Sequence, residues 1–233
     1  MRYAFPWRFF MAVTATASNR AKYALGRKMI DLQADSLRAI LMRQGFAFNK
    51  DDHATRLNLK GYLSASTLSV NTSLQILDSG NGFLTAGFVP GNKITMSGWT
   101  NGGNNTTKII QTVTAGIITV TVTTGLVEEA AGNLVTIQAD DELPTGNGYS
   151  QNGTLLSGQA VTEDDANDRA QMVCNNIDFS ASGGTVGPTP GAILYDDTVS
   201  EKTIIGYLAL GADHTIPNGA GLRLKNVKIN LGG

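Results

Sequence analysis

The chain has 233 residues, a formal charge of −1, 42% hydrophobic residues and only 16% charged ones. Glycine, threonine and asparagine supply 70 positions (27, 25 and 18); Asn- and Gly-rich turns between Thr/Val/Ile runs are the composition of an all-β protein, which excludes coiled coils, collagens and helical repeats. No apolar run reaches the roughly 18 residues that cross a bilayer as a helix, and a single cysteine, Cys174, excludes an intrachain disulfide framework and multi-cysteine metal sites.

The charge is unevenly placed. Residues 1–60 hold 11 Lys/Arg against 4 Asp/Glu, and residues 61–233 hold 7 against 15. A basic front on an acidic body implies either two faces with different partners or complementarity between neighbouring copies or halves. Pro6, Trp7 and Arg8 break the apolar stretch that a secretory signal requires, although Thr14-Ala15-Thr16-Ala17 could pass for a cleavage site. Met11 opens a more ordinary start, so residues 1–10 read as an extension or an added arm. Phe5, Trp7, Arg8, Phe9 and Phe10 suit a groove on a neighbour better than they suit water. Residues 1–30, with Arg2, Arg8, Arg20 and Lys22 as their cations, are therefore expected to form an N-terminal assembly arm.

Ser18 or Asn19 can cap a short helix over 20–25, with Gly26 ending it at C′. Residues 28–32 look extended. From Asp35 to Met42 both faces are largely apolar, which predicts a strand packed on both sides. Residues 49–58 read as a polar loop and 62–73 as a connector. A compact block follows, with strands expected at 74–78, 93–97, 107–114, 117–124 and 133–138. Asn81-Gly82, Pro90-Gly91, Asn101–Asn105 and Ala115-Gly116 supply the turns, and five short strands fit a small SH3-like barrel. Beyond Asp140, strands are expected at 171–175, 177–180, 192–195, 203–210 and 222–231. In the last of these the apolar phase slips near Lys225-Asn226, which predicts a bulge. The resulting architecture is all-β: a sandwich-like outer domain (31–70 and 140–233) with an SH3-like module (71–139) inserted in one of its loops, preceded by the basic arm and its short helix (1–30).

Few residues suggest chemistry. Met172-Val173-Cys174 reads as a buried strand carrying an inert thiol. Tyr195-Asp196-Asp197 resembles a metal-binding Asp pair, but the apolar run before it makes it the exit turn of a strand. Glu163, Asp164, Asp165 and Asp168 lack the alternate spacing of an EF-hand; after Thr162 they read as a capped turn. His53 and His214 lie in polar, loop-like sequence and are expected to be exposed. Sequon matches at Asn71, Asn104, Asn105 and Asn152 are expected by chance in so Asn- and Thr-rich a chain. No phosphate-loop, dinucleotide or Gly-x-Ser-x-Gly pattern is present. The basic front lacks the interleaved aromatics of a nucleic-acid platform.

Several segments together are similar to a family of small all-β virion structural proteins of tailed bacteriophages. They are Asp35–Met42 with Phe46-Ala47-Phe48 and Asp52-His53-Ala54, then Glu142–Tyr149, then Val161–Asp168, then Ala192–Thr198 with Ile205-Gly206-Tyr207. The resemblance implies a non-enzymatic, virion-located protein made in the bacterial cytoplasm, without cofactor, metal, nucleic-acid or membrane partner. The role it favours is capsid decoration: binding the major capsid protein or other virion proteins, and further copies of itself, to cement the shell. The alternative is a tail- or head-fibre component binding host surface glycan, for which Trp99, beside the Asn101–Asn105 loop, is the one stacking candidate, although the residues favour a core tryptophan there.

Overall fold

The computed structural model describes residues 8–231. It is mostly β, with 44% strand. In chain order the elements are β1 (Arg8–Ala17), α1 (Asn19–Gly26), β2 (Leu37–Leu41), β3 (Tyr62–Ala65), β4 (Leu68–Val70), β5 (Ile76–Asp78), β6 (Lys93–Ser97), β7 (Thr107–Val113), β8 (Ile117–Val120), β9 (Val135–Ala139), β10 (Thr154–Leu155), β11 (Ala160–Asp164), β12 (Arg169–Val173), β13 (Ile177–Ser180), β14 (Val186–Asp196), β15 (Ile204–Ile216) and β16 (Gly221–Asn230). Phe46–Asp141 form one compact unit and the chain on either side forms the other. The flanking unit holds a nine-stranded sheet ordered β10-β2-β14-β15-β1-β16-β12-β11, with β13 pairing β16 off that path. The second unit holds a seven-stranded sheet ordered β3-β9-β6-β7-β8-β5-β4.

The segment expected to be an arm is instead an interior strand. β1 runs parallel to β16, with Arg8 opposite Gly221 and Ala15 opposite Ile229. It runs antiparallel to β15, with Ala15 opposite Leu208 and Ala17 opposite Gly206. Val13, Ala15 and Ala17 are buried while Thr16 is exposed; the Thr/Ala alternation was a strand signal. Gly206 permits the close approach of β1 to β15, since a Cβ there would lie 2.7 Å from the Thr16 carbonyl oxygen.

Ser18 then turns the chain. Its N–H donates to the Ile205 carbonyl at 2.9 Å, and its hydroxyl accepts the Ala21 N–H at 2.9 Å, capping α1. α1 buries Ala21 and Ala24 completely. Gly26 is its last helical residue, and the left-handed conformation falls on Lys28 (φ 55) rather than on the glycine. No strand forms over 28–32: Ile30 and Leu32 are buried from turn and coil backbone.

β2 is buried on both faces except at Arg38, and pairs with β14, Ile40 opposite Ile193. The expected bulge in β16 is present: Ala12 faces Lys225 but Thr14 faces Lys228, and Asn226 takes φ 51. The extra residue keeps Leu222, Leu224, Val227 and Ile229 all on the core side, each at most 1% exposed. Without it Val227 and Ile229 would face water, at about 1.5–3 kcal/mol each. That outweighs the roughly 1–2 kcal/mol of one left-handed residue, which asparagine pays least of the non-glycine residues.

In the second unit the expected connector 62–73 contains both edge strands of the sheet. β3 pairs β9 from Tyr62–Gln138 to Ala65–Val135, and β4 pairs β5 from Leu68–Asp78 to Val70–Ile76. Leu68 and Val70 are buried with Ile76, Phe83, Ile94 and Ile137. Low charge without clear periodicity hid two strands of three and four residues. The sheet therefore has seven strands rather than five, and the unit starts at Phe46 rather than at 71.

Two outcomes follow. Removing residues 1–19 takes away β1 and opens the large sheet in its middle, so the truncated chain should lose its cooperative melt and near-UV dichroism. A soluble β-rich product with a sharp melt would place β1 outside the fold. A fragment spanning 46–141 should give a dispersed amide spectrum by NMR, whereas 74–139, lacking β3 and β4, should not.

Candidate functional site

A cluster of polar groups in the first unit gathers where β2 begins, β14 ends and β15 begins. Asp196 lies opposite Leu37, and Tyr195 opposite Arg38. The strand-exit turn expected at Asp196-Asp197-Thr198 is tied to the segment before β2. The Asp197 N–H donates to the Ser36 carbonyl at 2.8 Å, and the Ser36 N–H donates to Thr198 Oγ1 at 2.7 Å. Asp197 receives Arg38 Nε at 2.8 Å and Lys202 Nζ at 2.5 Å. Burial acts to raise its pKa, but the Lys202 and Arg38 hydrogen bonds outweigh that and hold it below the usual carboxylate value.

Asp196 is fully buried, with Oδ1 accepting the Thr198 N–H at 2.8 Å. Burial, then the charge of Asp35 beside it, push its carboxyl above the usual value. Next to it Glu201 accepts both Arg20 Nη2 contacts, at 2.7 and 2.8 Å, and the Thr203 hydroxyl at 2.9 Å. The Arg20 hydrogen bond is the main reason its pKa lies low. Arg20 also lies 5.2 Å over the Tyr23 ring. Part-exposed pairs of this kind contribute about 0–1 kcal/mol, so their effect is mainly to fix α1 and β2 against the β14–β15 turn.

Arg20, expected to face a neighbour, is thus engaged within its own unit. Lys22 is exposed on α1. Arg8, Phe9 and Phe10 belong to β1, where the described structure covers their backbone pairing only. Arg2, Phe5 and Trp7 lie outside the described residues.

Trp99 is 4% exposed and belongs to the core of the second unit. A buried indole has no free face for a sugar, so the glycan-stacking candidate is withdrawn. Its loop is locked from two sides. The Trp99 N–H donates to Asn105 Oδ1 at 3.0 Å, and Asn105 Nδ2 donates back to the Trp99 carbonyl at 2.9 Å. The Glu129 carboxylate accepts the Thr100 N–H at 2.7 Å, the Asn101 N–H at 3.0 Å and Asn104 Nδ2 at 3.0 Å. Burial would raise the Glu129 pKa, but the Asn101 and Thr100 N–H groups prevail and lower it. Nothing in the sequence marked Glu129 as the anchor of a loop 28 residues away.

The histidines differ from expectation as well. His53 is fully buried in its loop, with ring centroids 5.2 Å from Phe46 and 5.7 Å from Phe48. The Asn49 N–H donates to its Nδ1 at 3.0 Å. Burial lowers its pKa against the opposing pull of the Asn49 backbone and Asp52, which favours the neutral ring. His214 is half-buried on β15 rather than in a loop. Cys174 is half-buried, and burial pushes its thiol up to about 11.

The acidic run 163–168 forms a hairpin tip between β11 and β12, so Thr162 is a strand residue rather than a cap. Asp164 accepts Asn167 Nδ2 and Arg169 Nε, each at 3.0 Å. Among the described residues no group of three His, Cys, Asp or Glu side chains is placed to hold a metal ion. Compared with family models, with curated proteins and with solved structures, the chain finds no match in any of the three.

Glu129→Gln leaves one of the two backbone N–H donors without an acceptor and should cost about 1–2 kcal/mol at neutral pH. Because the folded-state pKa is lowered, the carboxylate's contribution is present above the unfolded value of about 4.3 and is lost as pH falls through the folded one. Urea midpoints of the two proteins should therefore differ at about pH 7, and the difference should shrink as pH falls below about 4.3. Equal midpoints at neutral pH would show that the loop does not depend on this anchor.

Proposed function

We propose that the chain is a non-enzymatic structural protein of a tailed-bacteriophage virion, most directly a decoration protein that binds and cements the assembled capsid shell. In this reading the flanking unit is a sandwich-like platform that meets the major capsid protein or other copies of itself, and the Phe46–Asp141 unit is a small barrel-like module carried on it. The observation that supports it is the adjacency of most of the segments carrying the family resemblance, although Val161–Asp168 lies on β11 at the far end of the sheet and residues 46–54 belong to the second unit. Those in β2, β14 and β15 occupy neighbouring strands. The Glu142–Tyr149 segment closes onto them through buried contacts: the Leu41 N–H donates to Tyr149 Oη at 2.9 Å, and the Tyr149 hydroxyl donates to Glu142 Oε1 at 3.0 Å. Segments more than a hundred residues apart thus form one continuous structural element.

The mechanism is mass action. A subunit that binds only the assembled lattice stabilises that lattice in proportion to its occupancy, and repeated copies meet through symmetric contacts. With Arg20 held by Glu201, the cationic contribution to docking falls to exposed residues of α1 and the turn after it: Lys22, Arg27 and Lys28. Their effect is chiefly steering and is weakened by salt.

Purified protein added to particles that lack it should co-sediment with the heads and raise the temperature at which they release DNA. Lys22→Gln, Arg27→Gln and Lys28→Gln together should weaken binding most at low salt. Recovery of the protein only in the tail fraction, by mass spectrometry of separated heads and tails, would refute the decoration role and favour the fibre alternative.

A further inference from the structure

We propose that His53 is a proton-operated latch on the 46–54 stretch of the second unit: the neutral ring holds the stretch closed, and protonation in mildly acid solution opens it and frees Phe46 and Phe48. The stretch has neither helix nor strand, yet it buries an imidazole completely. The ring has two aromatic neighbours. Phe48 stacks on it, 21° from parallel with centroids 5.7 Å apart, and Phe46 tilts against it at 57° and 5.2 Å.

Hydrogen bonds place the proton of the neutral ring. The Asn49 N–H donates to Nδ1 at 3.0 Å, so the ring carries its hydrogen on Nε2. Nε2 is buried, and no acceptor among the described residues meets it. A second proton has to go to Nδ1, which then no longer accepts the Asn49 N–H. The Asn49 carbonyl, 3.2 Å from Nδ1, can take the new N–H. The Asn49 N–H is then left without a partner, and the Nε2 N–H of a cationic ring still has none. A buried cation is stable only where its donors are satisfied.

The bonds at stake are those that shape the stretch. The His53 N–H donates to the Asn49 carbonyl and the Asp51 N–H to Asn49 Oδ1, both at 3.0 Å, so residues 49–53 close on Asn49 as one turn. Beyond it the chain is anchored. Asn58 Oδ1 accepts the Ala54 and Thr55 N–H groups at 3.2 and 2.8 Å, and the Asn58 carbonyl accepts Asn92 Nδ2 at 2.8 Å. This anchor sets the far limit of what can open.

The charged groups nearby do not reverse the balance. Lys50 and Asp51, both exposed, pair with each other at 3.2 Å, and the Asp52 carboxylate accepts Asn49 Nδ2 at 2.5 Å. Arg56, on the 3-10 turn Arg56–Leu59 that follows, has the same sign as an imidazolium. From the body of the unit, Asp141 is engaged by Asn92 Nδ2 at 2.8 Å and by the Lys93 N–H at 3.0 Å. The phenyl rings attract a cation weakly, and the Asn49 backbone and Asp52 favour it too, but burial is the largest influence and lowers the pKa of the ring. A lowered folded-state value gives a contribution that is full above the unfolded value of about 6.5 and is lost as pH falls from there through the folded one.

The test is hydrogen exchange of the full chain, followed by mass spectrometry on peptides covering 45–55, at about pH 7.5 and about pH 5.5 and corrected for intrinsic rates. Protection should fall severalfold at the lower pH, up to about tenfold for the one pH unit below 6.5, while that of β9 holds. His53→Phe keeps an aromatic ring and removes the titration, so its protection should be the same at both pH values; His53→Gln serves if that variant does not fold. His214→Gln removes the only other histidine and should keep the native response. Equal protection of the native protein at both pH values would overturn the latch, as would a native-like response in the His53 variants or loss of the response in His214→Gln.

Discussion

β1 has a partner on each edge, β15 antiparallel on one and β16 parallel on the other, and the nine-stranded sheet depends on that double pairing. Without it, the β10-β2-β14-β15 half and the β16-β12-β11 half would meet with unpaired edges, and buried backbone groups without partners are costly. A parallel neighbour requires a long crossover between the two strands. Here nearly the whole chain serves as that crossover, including the entire Phe46–Asp141 unit. The sheet also explains the small residues on β1: Ala15 and Ala17 are buried where β15 comes close, and Gly206 leaves room for the Thr16 carbonyl.

The second unit can be accommodated because the first closes at the point of departure. Met42 and Glu142 form a β-bridge, Arg43 Nε donates to the Glu142 carbonyl at 3.0 Å, and the Leu143 N–H donates to Leu41. The chain leaves and returns at one place on the host sheet, so an insertion of nearly a hundred residues adds little strain there. Each unit keeps its own apolar core.

Much of this was legible wherever local chemistry alone decides. The two-sided burial of β2, the strands β6 and β13, the bulge at Asn226 and the Ser18 cap all follow from period, turn residues or capping groups. What could not be read depends mostly on partners distant in sequence and, for His53, on how its own loop closes. The Thr-Ala-Thr-Ala run before Ser18 is compatible with an arm until β15 and β16 are known to flank it. His53 looked exposed because its neighbours are polar, yet Phe46 and Phe48 enclose it. The core placement of Trp99 was favoured by its own sequence, but the Glu129 that ties its Asn/Gly loop down was not marked.

The order of synthesis gives the β1 pairing a further meaning. As the polypeptide emerges from the ribosome, neither strand that flanks Arg8–Ala17 exists until about two hundred residues after it. Phe46–Asp141, whose strand pairs all lie within its own span, can close first, since domains generally fold as units in the order of their completion. β1 meanwhile has both edges unsatisfied, and its closure with β15 and β16 is non-local and correspondingly slow.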